Sequence, residues 1–429
     1  MYTVYNKNNQ ITFWEKIMTI TLMPLINGAR LEQNIIELSQ IGNIAKGGVS
    51  RLAFSPEDLQ ARQLVHKWME AAGMTVRVDA AGNLIGHYAG CQPELGVLAT
   101  GSHIDTVEAG GRYDGVLGVL AGIEVVRTLR DNNIRLEHPI EVIVFTDEEN
   151  TVLGCKSMAG TLNLDPEIYR RRDGRDIQNC LKTIGGNWSQ IETARRNAAD
   201  IAAFVELHVE QGGVLESEGK EIGVVKGIVG QYRFLVTVKG RANHAGTTPM
   251  HLRRDALVAA SRVVIAVNHL ATSIPGEQVA TVGMMNVSPN ATNTVPERVE
   301  LSIDLRDLSL ELLTSLISLL EAELTVIARE THTEIVLKRT LEVLPTLAHV
   351  DIQSTIVRCC EELGASYTYL PSRAGHDAQE IGRFTAMGMI FVPSRSGISH
   401  SEDEYTSPEQ CALGSNVLLH TLIELDKIK

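Results

Sequence analysis

Residues 96–146 read GVLATGSHIDTVEAGGRYDGVLGVLAGIEVVRTLRDNNIRLEHPIEVIVFT. A strand-length apolar run, Gly96–Thr100, leads into a polar loop. A longer apolar run, Val116–Leu129, has the length of a buried helix, and a second strand-length run, Ile140–Thr146, closes the stretch. Continuous β-branched and aliphatic runs suit strands covered on both faces, and strand–helix–strand alternation builds a parallel sheet. Two more such runs, Ile201–Leu207 and Met387–Val392, extend the pattern along the chain. The expected fold class is α/β, with an open, mostly parallel sheet.

Between the third and fourth runs the pattern changes. Phe234–Val238 and Val299–Leu305 alternate apolar with polar residues, as half-buried antiparallel strands do. Arg254–His269 and Ser309–Glu330 read as amphipathic helices, the second with Ser309 as N-cap. With Thr281–Met284 and Glu334–Lys338 as further strands, the order is strand, helix, strand, strand, helix, strand, which is ferredoxin-like. The expected organisation is one domain from residues 25–226 and 342–429, with a smaller α+β domain, 227–341, inserted in it. Residues 1–24 read as a poorly packed extension, because the helical pattern begins only at Pro24.

Composition narrows the partners. Lys and Arg number 39 against 52 Asp and Glu, a formal net charge of −13. That balance gives no electrostatic footprint for nucleic acid or an anionic membrane, and it favours a small-molecule substrate. Charged residues at Lys7, Glu15 and Lys16 interrupt any apolar run at the N-terminus. Six cysteines without a C-x-x-C pair read as reduced thiols of a cytoplasmic protein.

Chemistry-bearing side chains fall at the ends of the apolar runs. His103 and Asp105 follow the first run in GSHIDTV, and Glu148 and Glu149 follow the second in TDEEN. His208 ends the third in ELHVEQG, and His400 follows the fourth in SGISHSEDEY. Asp114 stands at the mouth of the buried helix in GGRYDGVLG. Ligands of open α/β sheets collect beyond the carboxyl ends of the strands. Five candidate metal ligands, His103, Asp114, Glu149, His208 and His400, are therefore expected to converge on one crevice.

Three imidazoles and two carboxylates suit two borderline divalent ions, zinc first, with manganese, cobalt or nickel as alternatives. Two ions about 3.5–4 Å apart can share a carboxylate and activate one water between them. Asp114, with two oxygens, is the natural bridge. Asp105 is placed to orient the His103 imidazole. Glu148, with no metal left to bind, is the expected general base and later proton donor to a leaving nitrogen. Singly, each residue has a plainer reading: a surface histidine, a helix N-terminus, a Gly- and Asp-rich turn. Their joint placement after four separate runs is the signal.

These segments carry a resemblance. GGVSRLAFS, GSHIDTV, GGRYDGVLGVLAG, TDEE, ELHVEQG, GRANHAGTTPM, TVPERVELSIDLRD, AGHDA and GISHS occur in that order. From about Ile26 to its C-terminus the chain resembles the hydantoinase/carbamoylase branch of the di-metal aminoacylase and carboxypeptidase superfamily. That branch includes N-carbamoyl-L-amino acid hydrolase, allantoate amidohydrolase, ureidoglycolate amidohydrolase and β-ureidopropionase of the yeast type. The resemblance implies two divalent ions bridged by Asp114, with His103 and His208 on different ions and Glu149 and His400 completing the shells. It implies that Gln211 contacts the ureido amide and that His244 helps hold the developing oxyanion. It implies that Asn293 and Arg306 grip the substrate carboxylate, a role suited to a forked guanidinium. It also implies a homodimer joined through the inserted domain, which would close over substrate as a lid. His376 and Asp377 in AGHDA belong near the same site without an assigned role. One departure is visible: the stretch between Glu149 and the GCKSMAG segment is shorter than in relatives.

The expected activity is hydrolysis of a C–N bond in a small ureido or carbamoyl carboxylate of the N-carbamoyl-L-amino acid type. A metal-bridged hydroxide would attack, with Glu148 as base and His244 at the oxyanion. Allantoate or ureidoglycolate is the alternative substrate: Gln231 in IVGQYRF resembles those enzymes, whereas Ile26–Leu31 resembles the carbamoylases. A metallo-dipeptidase or carboxypeptidase is a second class, disfavoured by ELHVEQG and AGHDA. A non-catalytic binding protein is a third, disfavoured because such a protein has no use for Glu148.

Overall fold

The computed structural model describes residues 24–44, 47–171 and 173–428. The extension expected over residues 1–24 lies outside them, apart from Pro24. The chain forms two compact units. One comprises the chain up to Lys226, Ala348–Leu370 and everything from His376 on; the other comprises Gly227–Leu347 with Pro371–Gly375.

The larger unit is built on a nine-stranded sheet, seven of whose strands follow one another side by side. Their order is Thr75–Val78, Leu84–Tyr88, Ile140–Phe145, Val97–His103, Ile201–Val209, Met387–Val392 and Ile222–Ile228. The four from Ile140–Phe145 to Met387–Val392 pair parallel, and the outer ones antiparallel. Every residue of Val97–His103, Ile140–Phe145 and Met387–Val392 is buried. With both faces covered, these strands show unbroken apolar runs instead of alternation. The Val116–Asp131 helix is buried from Val116 to Leu129 and packs against Val97–His103 and the C-terminal helix Pro408–Asp426. The C-terminal helix opens with a reciprocal capping box between Ser407 and Gln410.

This order positions the chemistry. His103 is the last residue of its strand and His208 the last but one of the adjacent parallel strand, so both imidazoles leave the sheet at one edge. Ile140–Phe145 runs into Glu148 and Glu149 at that same end, and Met387–Val392 leads on to His400.

The smaller unit is an antiparallel four-stranded sheet in the spatial order Glu334–Val343, Gly230–Lys239, Arg298–Asp307, Val279–Ser288. Its helices are Ala256–Ser273 and Leu310–Thr331, the second capped by Ser309, whose hydroxyl accepts the Leu312 N–H. Along Arg298–Asp307 the burial alternates: Val299, Leu301, Ile303 and Leu305 enter the helix-covered core, and Ser302, Asp304 and Arg306 face the opposite way. Ala256–Ser273 is long and apolar enough to cross a membrane by length and composition. Its stripe of Ala256, Ala259, Ala260, Val263 and Val267 is instead buried in that core.

Candidate functional site

Asp114 is the hub of the larger unit's site. Its Oδ1 lies 3.2 Å from His208 Nε2 and 3.8 Å from His103 Nε2, while its Oδ2 lies 3.2 Å from His400 Nε2. His400 Nε2 is in turn 3.5 Å from Glu149. Two donor groups therefore share one carboxylate: His103, Asp114 and His208, and Asp114, Glu149 and His400. The donors fit divalent ions. The Nδ1 atoms of His103 and His208 each face a backbone carbonyl at 2.9 Å, that of Asp105 and of Val209 respectively. A carbonyl can only accept, so in the neutral rings Nδ1 carries the proton and Nε2 is left as the ligand atom beside Asp114; that of His208 also accepts the Gly115 N–H at 3.1 Å. Imidazole nitrogens and carboxylate oxygens brought this close together are a donor set that a cation would satisfy.

One sequence expectation is corrected, and the contact of Asp105 with His103 is made through its backbone carbonyl. His103 and His208 do not divide between the two groups; both face Oδ1, because they end adjacent parallel strands, and their ring centroids are 6.1 Å apart. The proton on His103 Nδ1 goes to the Asp105 carbonyl, not the carboxylate, whose nearer oxygen is 3.9 Å away. The Asp105 carboxylate instead accepts the Glu149 N–H at 3.3 Å. Asp105 thus ties together the loops carrying His103 and Glu149.

Glu148 lies beside these groups with one oxygen 3.6 Å from His103 Nε2. Gln211 donates from Nε2 to Asp114 Oδ2 at 2.9 Å, and its own carbonyl oxygen is buried without a hydrogen bond. That leaves an acceptor beside the hub with nothing to accept from. His376 packs edge-on to His208 at a centroid separation of 4.5 Å, and Glu206, His208 and His376 form a third cluster of donors. Asp377 is fully buried in the same region.

The layer behind the hub contains residues that sequence reasoning missed. Glu404 is buried; its Oε1 accepts the Tyr113 and Asp114 N–H groups, and its Oε2 accepts the Ser399 hydroxyl. It sits in the acidic run SEDE, which reads as solvated charge; only its four-residue spacing from His400 hinted otherwise. Gly115 has φ +66°, and a Cβ there would collide with the His103 ring. Arg51 is fully buried and donates to the carbonyls of Leu38, Ile41 and Ile104, pinning the strand end that carries His103.

Negative charge is concentrated here. Burial, then Asp377 and Glu149, push Glu148 well above the usual carboxylate range. Burial and Asp114 push Glu149 up to about 7. Burial lowers His103 to about 4. For His208 burial is the largest single influence and pulls downward, but the hydrogen bond and charge of Asp114, with Glu206 and the Val209 carbonyl, together raise the ring to about 9; a separate hydrogen bond to Asp114 raises His400 to about 9. Asp114, despite burial, is held well below its ordinary value by those two imidazoles. Buried carboxyls that crowd one another in this way are the environment a bound cation inverts.

The remaining predicted residues belong to the smaller unit. His244 is exposed, and its Nδ1 accepts the N–H groups of Gly246 and Thr247 at 3.0 and 3.2 Å. In the neutral ring that leaves the proton on Nε2, as a donor. Asn293 adjoins it: the Ala245 N–H donates to the Asn293 carbonyl, and His244 pairs with Thr294. Arg306 lies on the helix-free face of the sheet, forked onto Asp304.

Clustered histidine and carboxylate donors at the carboxyl edge of an open α/β sheet are the kind of site a metal-dependent hydrolase uses. The sequence profile of the peptidase family M20/M25/M40 matches residues 99–424. An N-carbamoyl-L-amino acid amidohydrolase of Geobacillus stearothermophilus is 40% identical over 406 residues, covering 94% of this chain and 99% of the relative. An allantoate amidohydrolase of Bacillus subtilis is 36% identical, covering 90% of this chain and 95% of the relative. A crystal structure of a hydantoinase/carbamoylase family amidase from Burkholderia multivorans superposes with a TM-score of 0.87 at 37% identity, covering 94% of this chain and 98% of that one. The chain belongs to peptidase family M20/M25/M40, and within it to the amidohydrolases that cut carbon–nitrogen bonds other than peptide bonds.

Proposed function

We propose that this protein hydrolyses a small ureido carboxylate of the N-carbamoyl-L-amino acid type, using two divalent ions held by His103, Asp114, Glu149, His208 and His400. The observation that carries the reading is the division of Asp114, one oxygen toward His103 and His208 and the other toward His400. Zinc suits the mixture of nitrogen and oxygen donors, with manganese, cobalt and nickel as competitors. Such a pair, when bound, supplies Lewis-acid polarisation of the carbonyl and lowers the pKa of water.

The protein's own groups do the rest. Glu148 takes a proton from the attacking water as its oxygen bonds to the ureido carbon. Collapse of the tetrahedral species breaks the bond to the amino-acid nitrogen, which receives that proton from Glu148. The products are the amino acid and carbamate, which falls apart to carbon dioxide and ammonia. His244 would donate from Nε2 to the oxyanion, Gln211 would contact the ureido group, and Asn293 and Arg306 would grip the carboxylate. The smaller unit would act as a lid and as the dimer contact. The amidohydrolase relatives support the substrate class, and Cys155, Cys180, Cys359, Cys360 and Cys411, all buried free thiols, suit a cytoplasmic enzyme.

Allantoate or ureidoglycolate is the second reading, favoured by the allantoate amidohydrolase relative and by Gln231, which hydrogen-bonds the Asp304 that holds Arg306. Ammonia release decides between them. Metal-reconstituted protein is offered N-carbamoyl-L-amino acids, N-carbamoyl-β-alanine, allantoate, ureidoglycolate and dipeptides, with Glu148→Gln as control. Turnover of an N-carbamoyl-L-amino acid that is lost in the control supports the first reading; turnover of dipeptides alone overturns it.

A further inference from the structure

Arg306 is not a loose arginine. Asp304 Oδ1 accepts its Nε–H at 2.8 Å, Asp304 Oδ2 accepts from Nη2 at 3.3 Å, and the Arg373 carbonyl accepts from Nη1 at 2.6 Å. Asp304 is fixed in its turn. Its Oδ2 also accepts from Gln231 Nε2 at 2.7 Å and from Arg233 Nε at 2.8 Å, both on the neighbouring strand, where Asp304 pairs with Arg233 and Arg306 with Gln231. Arg233, Asp304 and Arg306 lie on one face of one sheet, in the wall of an open cavity of about 640 Å³ that Met284, Thr281 and Arg373 also line.

Counting donors shows what the assembly leaves over. A guanidinium has five N–H groups. Asp304 takes two and the Arg373 carbonyl one, so five less three leaves one N–H on each terminal nitrogen. Two parallel donors on the terminal nitrogens are the pair that receives a carboxylate in bidentate fashion. Charge points the same way: Arg233, Arg306 and Arg373 carry three positive charges against the single negative charge of Asp304. Asp304 Oδ2 is already shared among three donors and Oδ1 is taken by Arg306 Nε, so the carboxylate is turned toward its own partners and away from an incoming anion.

We propose that Asp304 is a positioning residue which, backed by Gln231 and Arg233, fixes the Arg306 guanidinium so that its terminal edge receives the substrate carboxylate. This rests on the ureido-carboxylate reading above. It adds that the specificity for a carboxylate is set by a residue that never touches it, and that Gln231 acts through Asp304 without contacting the ureido group.

The test compares an N-carbamoyl-L-amino acid with the same compound carrying a primary amide in place of its carboxylate. Turnover and calorimetric binding are measured for the metal-loaded wild type, Asp304→Asn, Asp304→Glu and Gln231→Leu. For the acid, Asp304→Asn is expected to raise KM by on the order of tenfold with kcat little changed, as misplacement of a clamp does. The amide should be equally poor with wild type and variant. Asp304→Glu should recover part of the affinity, and Gln231→Leu, which keeps both carboxylate oxygens on Arg306, should show a smaller rise. Equal loss on acid and amide, or unchanged or improved KM for the acid, overturns the proposal. If Asp304→Asn fails to fold, the Gln231→Leu and Asp304→Glu results decide by the same criteria. If wild type binds the acid without turnover and Asp304→Asn loses that binding, the positioning role stands while the hydrolysis reading falls. If wild type neither binds nor cleaves the acid, both fall.

Discussion

The Glu404 carboxylate accepts the Asp114 backbone N–H at 3.1 Å, although 290 residues separate the two. Through Ser399 the same carboxylate reaches the loop that carries His400. One buried side chain therefore sets the spacing between the shared carboxylate and the His400 imidazole of the second donor group. Partners of this kind commonly contribute 10–100-fold to metal affinity. Glu404→Ala should weaken binding of added zinc or manganese by roughly that factor, measured by chelator competition, with all five ligands intact.

Gly115 makes a second test, because its left-handed backbone and its contact with the His103 ring leave no room for a side chain. Gly115→Ala is expected to lose about 1–3 kcal/mol of stability from backbone strain, with a further loss from displacing His103. Denaturant unfolding reads the first effect, and metal stoichiometry reads the second. A variant that melts like wild type and binds two ions would show that the loop tolerates another course.

Replacing Glu148 should separate chemistry from metal binding. Glu148→Gln is expected to lower kcat by about 10²–10⁴, the usual contribution of a general acid–base, while KM and metal content stay close to wild type. Loss of metal from the variant would instead make Glu148 a ligand.

Metal removal should be reversible and should cost stability. Chelated protein is expected to lose activity and to unfold at lower temperature. Added ion at a thousandfold excess over its Kd should return about 4 kcal/mol for each site formed only in the folded state. Titration followed by melting temperature should break at two equivalents; a single equivalent would leave one of the two donor groups unused.

Asp304 gives the pH dependence of the smaller unit. Burial alone would raise its carboxyl, but hydrogen bonds from Arg306, Arg233 and Gln231 bring it below the ordinary value. A carboxyl depressed on folding stabilises above its unfolded pKa, about 3.9, and that contribution disappears as the pH falls through the folded value. The stability advantage of wild type over Asp304→Asn should be present at neutral pH and shrink below about pH 4. Paired urea titrations at both pH values check it.

Much of this arrangement was legible in the sequence because strands buried on both faces advertise themselves as unbroken apolar runs. Val97–His103, Ile140–Phe145 and Met387–Val392 are such strands, and their ends announced His103, Glu149 and His400. Strict alternation in Arg298–Asp307 likewise marked a sheet with one open face. What periodicity cannot express is the order in which strands neighbour one another. The side-by-side exit of His103 and His208 follows from Val97–His103 pairing with Ile201–Val209, a fact of the sheet and not of either segment. Glu404 stayed hidden for a related reason: an acidic run looks solvated until the loop holding it is seen folded under Asp114.

The position of Met387–Val392 also bears on how the protein is made. That strand lies between Ile201–Val209 and Ile222–Ile228, so the inner sheet has a missing slat until the chain has been made past Val392. During that interval Ile201–Val209 presents an apolar edge with unpaired backbone groups, a template for the wrong neighbour. His400 follows the slat in the chain. A chain cut before Met387 would lack both that strand and His400, and with it one member of the Asp114, Glu149 and His400 group.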